Sequence, residues 1–123
     1  MNDSVIDKTL KNLPGFDFED VLSNLDGDWD FLKQLLGVFQ HNLMEQSGEL
    51  MRVLEQDDMG QARHLVHTIK GTTSQVGATA LHALALQLEQ ELKSGLPPSQ
   101  APTLAPFQAQ IKDVLAMLVG VGL

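Results

Sequence analysis

Residues 59–78 read MGQARHLVHTIKGTTSQVGA, and the pattern in this stretch decides the fold. Placed about 100° apart on a helix, Ala62, Leu65, Ile69, Thr72 and Val76 fall on one arc, with Val66 and Thr73 on its flanks. Apolar residues at three-and-four spacing mark an amphipathic helix that buries one side. Both ends carry punctuation. Either Asp57 or Asp58 can accept a first-turn N–H as N-cap, and Gly77 suits the left-handed residue that closes a helix. The spacing therefore predicts a helix from about Met59 to Val76.

His67 lies roughly opposite the centre of that arc, so it points to solvent. Its neighbours on the outward face are Arg63 at i−4, Lys70 at i+3, Gly71 at i+4 and Ser74 at i+7. A neutral imidazole is a nucleophile. Positive charge from Arg63 and Lys70 beside it suits an incoming phosphoryl group. Gly71 costs the helix about 1 kcal/mol relative to Ala, which makes sense if something bulky must approach closely. As exposed charges, Arg63 and Lys70 are expected to act on that group and to contribute little to folding. On periodicity alone the same face also fits a surface histidine among solvated charges, with Gly71 incidental.

Outward from this helix, breakers divide the chain into further helical pieces. Pro14-Gly15 ends a polar lead-in. Phe18 to Leu25 reads as a short amphipathic helix, and Asp26-Gly27 as a turn. Asp28 can cap a long helix to about Gln56, with Phe31, Leu32, Leu35, Leu36, Val38, Phe39, Leu43, Leu50 and Leu54 as its stripe. Gly37 and Gly48 weaken it, and Gly48 is a candidate bend. After Gly77, a helix from Ala78 to about Ser94 carries Leu81, Leu84, Ala85, Leu88 and Leu92. Gly95, Pro97 and Pro98 break it. A last helix covers about Ser99 to Val119, with Pro102 and Pro106 confining its clean part to the latter half. Strand signals are missing. The expected architecture is all-α: an up-down four-helix bundle with a short extra N-terminal helix as a lid. It is read as a single domain over 1–123, with 1–14 as lead-in and 15–119 as the bundle.

Composition narrows the function classes. The chain has 123 residues, 43% of them apolar, a formal net charge of −8 and no cysteine. The acidic balance disfavours nucleic acid and anionic membrane as partners. Thiolate catalysis, disulfides and cysteine-ligated zinc are excluded. The first ten residues do not resemble a signal peptide, and no apolar run reaches the roughly 20 residues of a membrane span. A cytoplasmic location is expected. His64 and His67 at i and i+3 are a weak metal pair with no supporting carboxylate or Cys, so no metal site is expected. His41 and His82 read as surface or edge residues, and Trp29 and the methionines as packing. There is no Gly-rich phosphate loop, and Ser74 has no triad around it.

His67-Thr68-Ile69-Lys70-Gly71 resembles the signature of histidine-containing phosphotransfer (HPt) domains, a His followed by two residues and Lys-Gly. Gly77-Ala78, Leu81 and Leu88-Glu89 downstream fit the resemblance. So do Leu13-Pro14-Gly15-Phe16-Asp17, Leu25-Asp26-Gly27-Asp28 and Phe31-Leu32 upstream. It extends from about Leu13 to Ser94. Val66 and Ile69 stand where the family often has Ala and Leu; both are apolar and near the core arc. The resemblance implies a bundle whose exposed His67 accepts a phosphoryl group from a receiver aspartate and passes it to another. It implies Lys70 as the cationic neighbour of that group and Gly71 as clearance for the receiver. Glu89 matches the position where the family often places Gln or Glu against the histidine ring.

Register supports this last assignment independently. In a hairpin turning near Gly77, His67 and Glu89 come within one helical turn of the same height at roughly 1.5 Å per residue. A carboxylate holding Nδ1–H would leave Nε2 as the nucleophile; the alternative for Glu89 is a solvated residue at the edge of the leucine stripe. The resemblance also implies a phosphocarrier with no ATP-binding or kinase site of its own, binding no cofactor, with Mg²⁺ supplied by the receiver. The partners expected are response-regulator receivers, with a hybrid sensor kinase as a further candidate, and the domain acting as a monomer. The competing readings are a docking module that is never phosphorylated and the phosphoacceptor domain of a chemotaxis-type kinase.

Overall fold

Asp58 and Gly77 bracket the histidine-bearing helix in the computed structural model, which describes residues 8–123. The Asp58 carboxylate accepts the Gln61 N–H at 3.1 Å, so Asp58 is the cap. Asp57 instead adopts a left-handed conformation (φ 55°) and turns the chain between two helices. Gly77 has φ 73°. A Cβ there would run into the carbonyl oxygen of Asp17, whose N–H donates to the Gly77 carbonyl at 2.8 Å. Only glycine satisfies both the dihedral and the contact.

In chain order the described residues form α1 (Glu19–Asn24), α2 (Trp29–Glu55), α3 (Met59–Val76), α4 (Thr79–Lys93), a 3₁₀ turn (Pro98–Gln100) and α5 (Leu104–Gly120). No strand occurs among them. Each long helix packs against the next, and α5 closes the ring against α2. The result is the expected four-helix bundle, with α1 laid on α2. Its core runs through Leu32, Leu36, Leu43 and Leu50 of α2, Val66 and Ile69 of α3, Leu81 and Leu88 of α4, and Phe107 and Leu118 of α5. Each such side chain contributes about 1.5–3 kcal/mol by leaving water. No helix among the described residues is long and apolar enough to cross a membrane.

Several expectations need correction. The stretch read as a polar lead-in is helical at residues 8–11 and buries Leu10 and Leu13 in the core; its first seven residues lie outside the described ones. The arc of α3 is rotated toward α4, so that Thr73 is fully buried and Thr72 only half-buried. On α2, Phe31 and Val38 stay exposed, and Val53 joins the core instead. This helix runs unbroken through Gly37 and Gly48.

The last helix does not start at Ser99. The chain extends at Ala101 and restarts at Leu104, with Pro106 in the first turn, where its missing N–H has no helical partner to lose. Glu91 of α4 caps this start: its carboxylate accepts the Thr103 N–H at 3.0 Å and the Thr103 hydroxyl at 2.5 Å. The start of α4, which lacks a side-chain cap, is held similarly from a distance. The Gly15 carbonyl accepts the Ala80 N–H at 3.0 Å and the Thr79 hydroxyl at 3.2 Å.

Candidate functional site

The outward arc of α3 places His67 in solvent, its side chain 63% exposed, while Glu89 of α4 is 2% exposed. The two meet across the α3–α4 seam: His67 Nδ1 lies 2.5 Å from Glu89 Oε2. Glu89 therefore corrects the solvated alternative. It sits at i+8 from Leu81 and i+4 from Ala85, on the flank of the leucine stripe that faces α3. Its other oxygen, Oε1, accepts Lys70 Nζ at 2.6 Å and has Lys93 Nζ at 3.6 Å.

Burial alone would raise the Glu89 pKa. The Lys70 hydrogen bond, the His67 hydrogen bond and the charges of Lys70 and Lys93 outweigh it, and the carboxyl is lowered from 4.5 to about 2. Glu89 is thus ionised at neutral pH and can only accept hydrogen bonds. The Nδ1 that touches it must carry the proton, which leaves Nε2 as the bare ring nitrogen of neutral His67. Nε2 makes no hydrogen bond among the described residues. The arrangement presents a fixed tautomer with its lone pair directed outward.

Lys70 is only 23% exposed. It reaches under the ring to Glu89, and its bond to a buried carboxylate ties it to folding as well as to chemistry, contrary to the small energetic role expected of a surface charge. His82, read as an edge residue, belongs to the same seam. Its Nδ1 donates to the Lys70 carbonyl at 3.0 Å, the carbonyl that also accepts the Thr73 hydroxyl at 2.7 Å. His82, Glu89 and Lys93 recur at i, i+7 and i+11 on one flank of α4. That heptad-like spacing was a signal in the sequence that the leucine stripe obscured.

Gly71 is exposed, and a Cβ there would meet nothing within 4 Å. Nothing among the described residues requires a glycine at this position. Arg63 is exposed and makes no ion pair among the described residues. It lines a hollow of about 300 Å³ with Gly60, His64, His67, Glu89 and Lys93. A larger hollow, about 440 Å³, lies against Pro14, Ala80, Gln110 and Met117. Its one ionisable lining residue is Asp113, and it offers no imidazole and no cation, so chemistry and not size locates the site.

A family model described as Hpt domain matches residues 34–119. The chain belongs to the Hpt family. The match spans α3, α4 and nearly all of α5, and includes Arg63, His67, Lys70, Gly71 and Glu89. It leaves out α1 and the Leu13–Asp28 stretch that also resembled the family, and takes in α5, which had not. The fold is similar to that of histidine-containing phosphotransfer protein B from Pseudomonas aeruginosa, a crystal structure. The TM-score is 0.69 at 24% identity, covering 87% of this chain and 90% of that one. No curated protein matches the chain at a significant level. Hpt domains are phosphotransfer modules of phosphorelays in two-component signal transduction, and their partners are response-regulator receivers.

Proposed function

We propose that this Hpt domain is a relay intermediate: His67 Nε2 accepts a phosphoryl group from the aspartyl phosphate of one receiver and passes it to the aspartate of another. The observation that carries the reading is the contact between an exposed imidazole and a buried, ionised Glu89. In the first step the Nε2 lone pair attacks phosphorus. The N–P bond forms as the bond from phosphorus to the aspartyl oxygen breaks, and the aspartate leaves as carboxylate. Nδ1 keeps its proton, so the ring gains positive charge, which the Glu89 carboxylate compensates. In the return step a receiver aspartate attacks phosphorus. The N–P bond breaks, its electron pair returns to Nε2, and the starting tautomer reappears. No proton enters or leaves in either direction.

Mg²⁺ belongs to the receiver in this reading. Both Glu89 oxygens are already engaged, and the hollow beside the ring is lined by Arg63 and Lys93, a set that does not fit a divalent cation. The receiver approaches over Gly71 and the neighbouring α2–α3 groove, where Leu35, Val38, Thr72 and Gln75 line a recess of about 290 Å³. Val38 is 59% exposed there, and Phe31, two helical turns before it, is 44% exposed. Such exposed apolar surface suits a protein partner. The domain acts as a monomer in the cytoplasm, where receivers are found.

The test is a chase. The domain is phosphorylated from one receiver in the presence of Mg²⁺, separated from it, and mixed with a second, unphosphorylated receiver. Loss of label from the domain with its appearance on the second receiver is expected. Gly71→Gln should keep its helicity and slow both transfers. Label that reaches the domain and never leaves it for any receiver would defeat the relay reading.

A further inference from the structure

Lys70 donates to Glu89 at 2.6 Å and is only 23% exposed, so a phosphoryl group of about two negative charges gains from further cations that are more open to solvent. Helical side chains lean toward the N-terminus of their own helix. The ring of His67 therefore leans over the turn that carries Arg63 and His64, away from Lys70's own turn. Here α3 and α4 leave the hollow lined by Gly60, Arg63, His64, His67, Glu89 and Lys93. Gly60 keeps its floor low: a Cβ there would meet only the Asp58 carboxylate, at 3.7 Å. Arg63 makes no ion pair among the described residues. Lys93 is 58% exposed and stands 3.6 Å from Glu89 Oε1, beyond a hydrogen bond, where Lys70 already donates at 2.6 Å. Two cations thus line the hollow beside the ring, Arg63 without an ion pair among the described residues and Lys93 held only by the longer contact to Glu89.

We infer that this hollow is the seat of the phosphoryl group on Nε2, with Arg63 and Lys93 as its oxygen-binding residues. The inference rests on the relay reading of His67 and deepens it, since the His-x-x-Lys-Gly signature contains neither residue. The group brings roughly two negative charges and three acceptor oxygens. Arg63 offers a planar fork of N–H donors from α3. Lys93, on the last turn of α4, swings its ammonium from Glu89 to a phosphoryl oxygen. Lys70 and His67 Nδ1 stay on Glu89, so the carboxylate keeps two donors when Lys93 leaves it. Lys70 is the anchor of the carboxylate, and Arg63 with Lys93 the clasp of the cargo.

The test uses phosphoramidate, a small-molecule phosphoryl donor that needs no receiver, and ³¹P NMR of the phosphorylated domain across pH. A nearby cation favours the phosphoryl dianion and lowers its last pKa. Removing the cation must raise it. Lys93→Ala and Arg63→Ala should each move the ³¹P midpoint upward by about half a unit or more. Lys93→Arg should restore it. Lys112→Ala changes the net charge of the molecule equally from an exposed position on α5 and should leave the midpoint unmoved. The titratable and charged groups around the phosphoryl group are Arg63, His64 and Lys70 of α3 and Glu89 and Lys93 of α4. His64→Gln in each background removes the one other imidazole that lines the hollow. An upward shift confined to the Arg63 and Lys93 variants supports the hollow. Label on His67 with the same midpoint in all variants overturns the inference and leaves the relay reading intact. No label on His67 overturns both.

Discussion

Glu89 is the residue on which the chemistry and the stability of this domain meet. It is buried, yet two lysines and an imidazole hold its carboxyl down to about 2. A carboxyl lowered on folding stabilises the fold fully above its unfolded value near 4.5, and that contribution is lost as pH falls through the folded value. The difference between the two values corresponds to about 3 kcal/mol. Glu89→Gln is nearly isosteric and never ionises. The variant should therefore be less stable than the parent at neutral pH, and the gap should close between pH 4.5 and about 2, where the parent carboxyl also becomes neutral. Chemical denaturation of both proteins at a series of pH values checks this. A gap that stays constant down to pH 2 would show that Glu89 acts by shape and not by charge. The sequence made Glu89 visible only through register. Its burial depends on the packing of two helices, which no local pattern contains, and the same is true of the Lys70 bond that turns an outward-face cation into a half-buried one.

At the scale of the element, legibility followed the range of the interactions. Asp28 and Asp58 cap helices through their own side chains three residues on, and Gly77 closes α3 through its own dihedral. Those ends could be read directly. The start of α5 could not, because its cap is Glu91, twelve residues away on another helix. Leu10 and Leu13 escaped because so short a segment shows no period, although both reach the core. Phe31 and Val38 were overcounted because the apolar stripe of α2 is wider than the face that the bundle covers, and the surplus stays exposed. Gly77 offers a direct check on how the α3–α4 hairpin is built. Gly77→Ala forces a side chain into a left-handed dihedral and against the Asp17 carbonyl. It should cost about 2 kcal/mol or more. Gly48→Ala, in a helix with open space around the new methyl, should gain up to about 1 kcal/mol. Thermal melting of the pair should move in opposite directions. Equal shifts would mean that the Gly77 turn is not the hinge of the hairpin.

At the scale of the whole molecule, an acidic chain of net charge −8 gathers Arg63, Lys70 and Lys93 around the exposed imidazole of His67. The closed ring of four helices makes this possible. It supplies a rigid seam between α3 and α4 and leaves the outward face of α3 free for a partner. His67 lies on that face and outside the core, so its removal should leave the bundle intact. The most direct measurement is intact mass after incubation with a phosphorylated receiver and Mg²⁺, on the parent and on His67→Gln. The account predicts one added phosphoryl group on the parent, lost in acid and retained in base as a phosphoramidate is, and none on a normally folded His67→Gln. Undiminished labelling of His67→Gln, or a label stable in acid and lost in base, would contradict it.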